Sequence, residues 1–167
     1  TSASSLTDSE GFICTDNVII SGGDDGIVAG TINSTHSVKD ILIANNRIDK
    51  KNKNILAAVP IRLGSYSGGT GRVKNAIISG NILNEVTDSA IFITHTDGAI
   101  VSKNIITNFG NHSASSAINI TLGADMAYNT EIVVSENRIT EATNGSYGIF
   151  ADGVSGLKIV NNFTNFI

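Results

Sequence analysis

Two carboxylates stand side by side at Asp24 and Asp25, enclosed by Gly23 and Gly26. Paired carboxylates suit glycoside hydrolysis, where one holds a proton while the other stays ionised. The same residues suit a polar turn ahead of a strand, because Asp hydrogen-bonds its own backbone in turns. A second candidate is His95, with Asp88 and Asp97 close by in sequence. A His–Asp pair can act as acid or base, whereas a lone histidine between Thr94 and Thr96 is ordinarily solvated. A third set is Arg62, Phe92, Asn119 and Phe150, with Asp152 beside it. Aromatic faces with polar neighbours suit sugar rings, which present C–H patches edged by hydroxyls. Outward phenylalanines are equally suited to lie under a loop or a neighbouring subunit. Asp88, Asp97, Asp125 and Asp152 offer oxygens for calcium but lack the spacing of a dedicated loop, so no metal and no cofactor is expected. His36 and His112 lie in Ser/Thr/Asn-rich stretches and receive no role.

These residues are positioned by an internal repeat. Segments ending at Asn46, Asn81, Asn104, Asn137 and Asn162 share one pattern, and Val18 to Gly23 fits it with Gly23 in the asparagine place. The steps are 23, 35, 23, 33 and 25 residues, the range of solenoids. Apolar residues five and three before each asparagine, and usually two after it, point one way. Alternation broken at one Asn or Gly means two short strands meeting at a sharp bend. Asn and Gly tolerate left-handed backbone there. Stacked asparagines then form an internal amide ladder from coil to coil.

A second strand family lies between these segments. Aligning Ile27, Ile61, Ile91, Ile118 and Ile149 places them inward, followed two residues later by Ala29, Leu63, Ile93, Ile120 and Ala151. The position between them points outward and holds Val28, Arg62, Phe92, Asn119 and Phe150. The next outward position holds Gly30, Gly64, Thr94, Thr121 and Asp152, and His95 falls on the rim of the same sheet. The expected architecture is all-β, a single-stranded right-handed parallel β-helix of about six coils over residues 1–167. Longer turns at 50–72 and 109–130 carry insertions of the kind that shape binding surfaces. The ends read as interrupted coils, so a fragment of a longer protein is expected.

Composition agrees. Isoleucine and valine dominate, Gly, Asn, Ser and Thr fill the turns, and Pro, Met and Cys occur once each, with no Trp. A lone Cys14 excludes an internal disulfide framework. The net charge of −4 with scattered basic residues offers no stripe for nucleic acid, and no apolar run approaches membrane-spanning length. The sequons at Asn33, Asn111, Asn119, Asn144 and Asn162 are expected by chance, and a ladder place at Asn162 argues against its glycosylation.

From about Gly11 onward the coils resemble the pectin-lyase-like superfamily of right-handed parallel β-helices, which includes pectate lyases, polygalacturonases and trimeric bacteriophage tailspikes. Thr7, Asp8 and Gly11, followed by Gly23, Asp24 and Asp25, are similar to the polygalacturonase order of a Thr-Asp-Gly element and then Gly-Asp-Asp. The resemblance implies that Asp24 and Asp25, and more loosely Asp8, flank a glycosidic bond as acid and base. Where that family has Gly-His-Gly this chain has Val59 and Pro60, and Phe92 to Thr94 replaces Arg-Ile-Lys.

The expectation drawn is a polysaccharide-recognising β-helix of a phage tailspike or surface fibre, with or without depolymerase activity. It would be extracellular or on the virion surface, with a homotrimer as candidate assembly and neither nucleic acid nor membrane as partner. A secreted polysaccharide hydrolase or lyase and a structural spacer rod are the alternatives.

Overall fold

The alternation and the turn residues fold as the repeat demands. In a computed structural model, described for residues 2–3, 9–20, 25–30, 35–50, 59–64, 70–110, 115–123, 128–142 and 146–165, the chain visits three all-parallel sheets in rotation. Sheet A holds Ser2–Ala3, Ile27–Ala29, Ile61–Leu63, Ile91–Ile93, Ser116–Ile120 and Tyr147–Ala151. Sheet B holds the seven-residue strands Val38–Ala44, Val73–Ser79, Thr96–Ser102 and Asn129–Ser135. Shorter strands, Ser9–Glu10, Ile13–Thr15, Val154–Ser155 and Lys158–Val160, flank them. Sheet C holds Val18–Ile20, Arg47–Asp49, Ile82–Val86, Ile105–Phe109, Arg138–Ala142 and Phe163–Asn165. Six coils thus wind around one core, an all-β parallel β-helix with no helix among the described residues. At ~4.8 Å per coil the rod is roughly 30 Å long.

The core is a set of like-on-like stacks. Ile27, Ile61, Ile91 and Ile118 pair coil to coil and are buried, as are Ala29, Leu63, Ile93 and Ile120 two residues on. Ile149 and Ala151 continue both stacks half-buried. Each fully buried isoleucine contributes about 1.5–3 kcal/mol relative to exposure.

The B–C corner carries the asparagine ladder. Its rungs are Asn17, Asn46, Asn81, Asn104, Asn137 and Asn162, spaced 29, 35, 23, 33 and 25 residues apart. From Asn46 onward each Oδ1 accepts the side-chain amide of the preceding rung at 2.9–3.0 Å. It also accepts that rung's backbone N–H at 2.9–3.1 Å.

Two expectations about this corner need correction. The first rung is Asn17, not Gly23, which lies outside the described residues. Val18–Ile20 pairs with Arg47–Asp49 and so follows the bend instead of preceding it. The left-handed residue is also not the ladder asparagine but its predecessor: Asp16, Asn45, Gly80, Lys103, Glu136 and Asn161 all have φ between 54 and 66°. Turning the chain one residue early leaves each asparagine outside the left-handed region with its amide aimed along the rod.

Candidate functional site: the outer face of sheet A

The register of sheet A brings the predicted outward residues into one file. Val28 pairs with Arg62, Arg62 with Phe92, Phe92 with Asn119 and Asn119 with Phe150. Because inward apolar residues flank each of them, alternation forces these side chains outward. The parallel pairing sets them one coil apart along the rod axis.

At one end of the file stands a largely buried ion pair. Arg62 Nε donates to Asp25 Oδ2 at 2.7 Å, and the two side chains keep only 14% and 8% exposure. Asp25 Oδ1 accepts the Val59 backbone N–H at 2.9 Å. The Arg62 guanidinium lies over the Phe92 ring, 4.8 Å from its centroid, a cation–π contact that fixes the ring plane. Asp25, expected as one of a catalytic carboxylate pair, is therefore joined to Arg62, expected as a substrate contact. Both of its oxygens already accept hydrogen bonds. Asp24 and Asp8 lie outside the described residues.

The middle of the file is polar. Asn119 donates its amide to Ser89 Oγ at 3.3 Å, while its Oδ1 is covered and has no hydrogen-bond partner. Ser116 Oγ is likewise buried without a partner. An unmade hydrogen bond at such an atom costs about 1–3 kcal/mol. Ser89 and Ser116 had no place in the sequence expectation, yet their signal is present: Ser-Ala-Ile recurs at 89–91 and 116–118, one coil apart. At the far end, Tyr147 and Phe150 form a tilted ring pair with centroids 6.0 Å apart, both exposed.

The neighbouring corner differs from expectation. Thr94 and His95 are buried, not on an open rim. His95 has φ 48° and Nδ1 lies 3.1 Å from Thr94 Oγ1. Its ring fills the space over Gly123, where any Cβ would overlap it. His95 is thus a packed corner residue, because Gly123 one coil on leaves room for an imidazole, and the expectation of a solvated or ligand-facing ring is corrected. Gly30 and Gly64 are buried by the same close stacking: a Cβ on either would strike the carbonyl one coil on, of Gly64 and of Thr94 respectively. Thr121 is half-buried, and only Asp152 in this column is exposed, its backbone N–H donated to the Ile120 carbonyl at 2.8 Å.

Among the described residues a shifted carboxyl lies elsewhere, on sheet B. Burial raises the Asp97 pKa, but Arg72, which donates to both carboxylate oxygens, and the Thr130 hydroxyl outweigh it. The net result is a carboxyl held below the ordinary aspartate value. Among the described residues no three His, Cys, Asp or Glu side chains gather as metal ligands.

The sheet A face therefore combines three exposed or half-exposed rings, one guanidinium held by a carboxylate, and a half-buried amide. That set can stack on apolar ring faces and exchange hydrogen bonds with hydroxyls. Asp25 accepts from Arg62 and from the Val59 backbone N–H, one partner set on each oxygen. No family model, no curated protein and no solved structure matches this chain.

Proposed function

We propose that the outer face of sheet A binds a polysaccharide, with the glycan lying along the rod, in a β-helix of the pectin-lyase-like kind that serves as part of a surface fibre such as a tailspike. The observation that carries this reading is the continuous file Arg62, Phe92, Asn119, Phe150, each one coil from the next. Ring faces suit the apolar C–H patches of sugars, and the amide between them suits a hydroxyl. Recognition, not cleavage, is the activity proposed, because Asp25 is engaged in its ion pair with Arg62.

The test is titration of the chain against a panel of neutral and acidic polysaccharides, with Phe92→Ala and Phe150→Ala beside the parent protein. One stacking contact is worth about 1.4 kcal/mol here, so each variant should weaken binding roughly tenfold. Reducing-end release should be absent from the parent and from Asp25→Asn alike. Binding to no member of the panel, or binding indifferent to both substitutions, would sink the proposal.

A further inference from the structure

Charge is distributed unevenly over the outer face of sheet A. Arg62 is the one charged side chain among the described strand residues of that sheet. Its guanidinium is held inward: Nε donates to Asp25 Oδ2 at 2.7 Å, with 14% and 8% of the two side chains exposed. The same guanidinium packs on the Phe92 ring. An acid group on a ligand would have to displace Asp25, whose other oxygen accepts the Val59 backbone N–H at 2.9 Å. Breaking a largely buried pair costs more than a new exposed pair returns.

The other end of the file is negative. The outward column two residues on holds Gly30, Gly64, Thr94, Thr121 and Asp152, with no cation. Asp152 is exposed and has no ion-pair partner among the described residues. Its N–H donates to the Ile120 carbonyl at 2.8 Å, which continues the ladder of sheet A. It therefore stands ~6.6 Å along the strand from Phe150. A sugar stacked on Phe150 lies within the ~10 Å screening length of that carboxylate in ~0.1 M salt. Exposed cations stand on the other faces, among them Lys74 and Lys158 on sheet B and Arg47 and Arg138 on sheet C.

We infer that the glycan taken by sheet A is a neutral polysaccharide, free of carboxylate, sulfate and phosphate groups. The inference rests on the polysaccharide reading and adds its selectivity. Ring stacking supplies an attraction that a neutral pyranose chain can use in full. Asp152 repels an acid group on the sugar at Phe150. Two like charges ~6.6 Å apart in water weaken binding roughly threefold, and the penalty fades as salt screens it. Asp152 is thus a specificity-determining residue that acts by excluding a competitor, not by attracting the ligand.

The test uses dextran, β-glucan, galactan and mannan, each as its hydroxyethyl and its carboxymethyl derivative, alike in bulk and different in charge. Calorimetric titration at neutral pH and low salt reads the binding that Phe92→Ala removes, which confines the measurement to sheet A. For a chain that binds, the hydroxyethyl form should bind roughly threefold tighter. That ratio should fall toward one in ~1 M salt, where the screening length is ~3 Å. Asp152→Asn should abolish the preference and Asp152→Lys should reverse it. Both variants should keep the far-UV spectrum of the parent, since the side chain is exposed. Carboxymethyl forms that bind as tightly as the hydroxyethyl forms, or tighter, overturn the inference while polysaccharide binding stands. So does a preference that Asp152→Lys leaves untouched. Binding of neither form of any of these chains overturns the polysaccharide reading, and the selectivity with it.

Discussion

Asn104→Ala is the sharpest probe of what holds the coils together. Asn104 is fully buried, and its Oδ1 accepts both the backbone N–H and the side-chain amide of Asn81, at 3.0 and 2.9 Å. Its own amide donates to the Ile78 carbonyl at 3.1 Å and to Asn137 Oδ1 at 2.9 Å. Truncation removes four hydrogen bonds and leaves the Asn81 N–H buried without that acceptor. At about 1 kcal/mol per bond, with the stranded donor adding to it, the loss is roughly 4–5 kcal/mol. Unfolding entropy of about 2.1 cal/mol/K per residue over the 167-residue chain converts this to a Tm fall of roughly 12 °C. Asn17→Ala is the internal control. Asn17 is exposed, and its amide gives up one ladder bond to Asn46 and one to the Thr15 carbonyl. Its cost should stay near 1 kcal/mol, because water replaces what is lost. Thermal melts by far-UV circular dichroism, run in parallel, compare the two. Equal Tm values for Asn104→Ala and Asn17→Ala would refute the reasoning, since the ladder would then contribute no more in the core than at its exposed end.

Three further outcomes follow from the geometry. Ile118→Asp should leave the chain unfolded at room temperature, because it sets a bare charge at a position with no solvent exposure; a native-like spectrum would contradict the inward register. Asp25→Ala should cost about 3–5 kcal/mol by stranding Arg62, and Asp25→Ala combined with Arg62→Met should recover part of that in a urea titration. Asp97→Asn should lower stability at neutral pH. The folded-state carboxyl lies below its unfolded value of about 3.9, so its contribution is present above that pH and lost as pH falls through the folded pKa. The Tm gap between parent and variant should close in acid, and a gap that widens there would reverse the sign.

Much of this arrangement is legible in the sequence because a solenoid converts long-range packing into a local pattern. The isoleucine stacks and the file Arg62, Phe92, Asn119, Phe150 follow from aligning one residue type. The first ladder rung is misread for a physical reason: Val18 to Gly23 has the same apolar alternation as Ala76 to Asn81, and alternation alone does not tell a strand before the bend from one after it. Its place is decided by the Asn17 amide, which reaches Asn46 from the preceding residue. The left-handed position escapes because its occupants share no chemistry; Gly80 and Asn45 fit the rule, but Lys103 and Glu136 do not. The Asp25–Arg62 pair spans 37 residues, and the burial of His95 depends on Gly123 in the next coil. Neither contact leaves a mark within a single repeat.

The ladder also sets how the rod should respond to force. Its bonds, like those of all three sheets, run between coils, so a pull on the chain ends peels one coil at a time from an exposed face. Each released coil lengthens the tether by about 3.5 Å per residue. Unequal rung spacings of 29, 35, 23, 33 and 25 residues then give steps of roughly 80 to 120 Å, each labelling its own coil. A single-molecule extension trace would therefore record the order in which the rod comes apart, because adjacent coils release different lengths of chain.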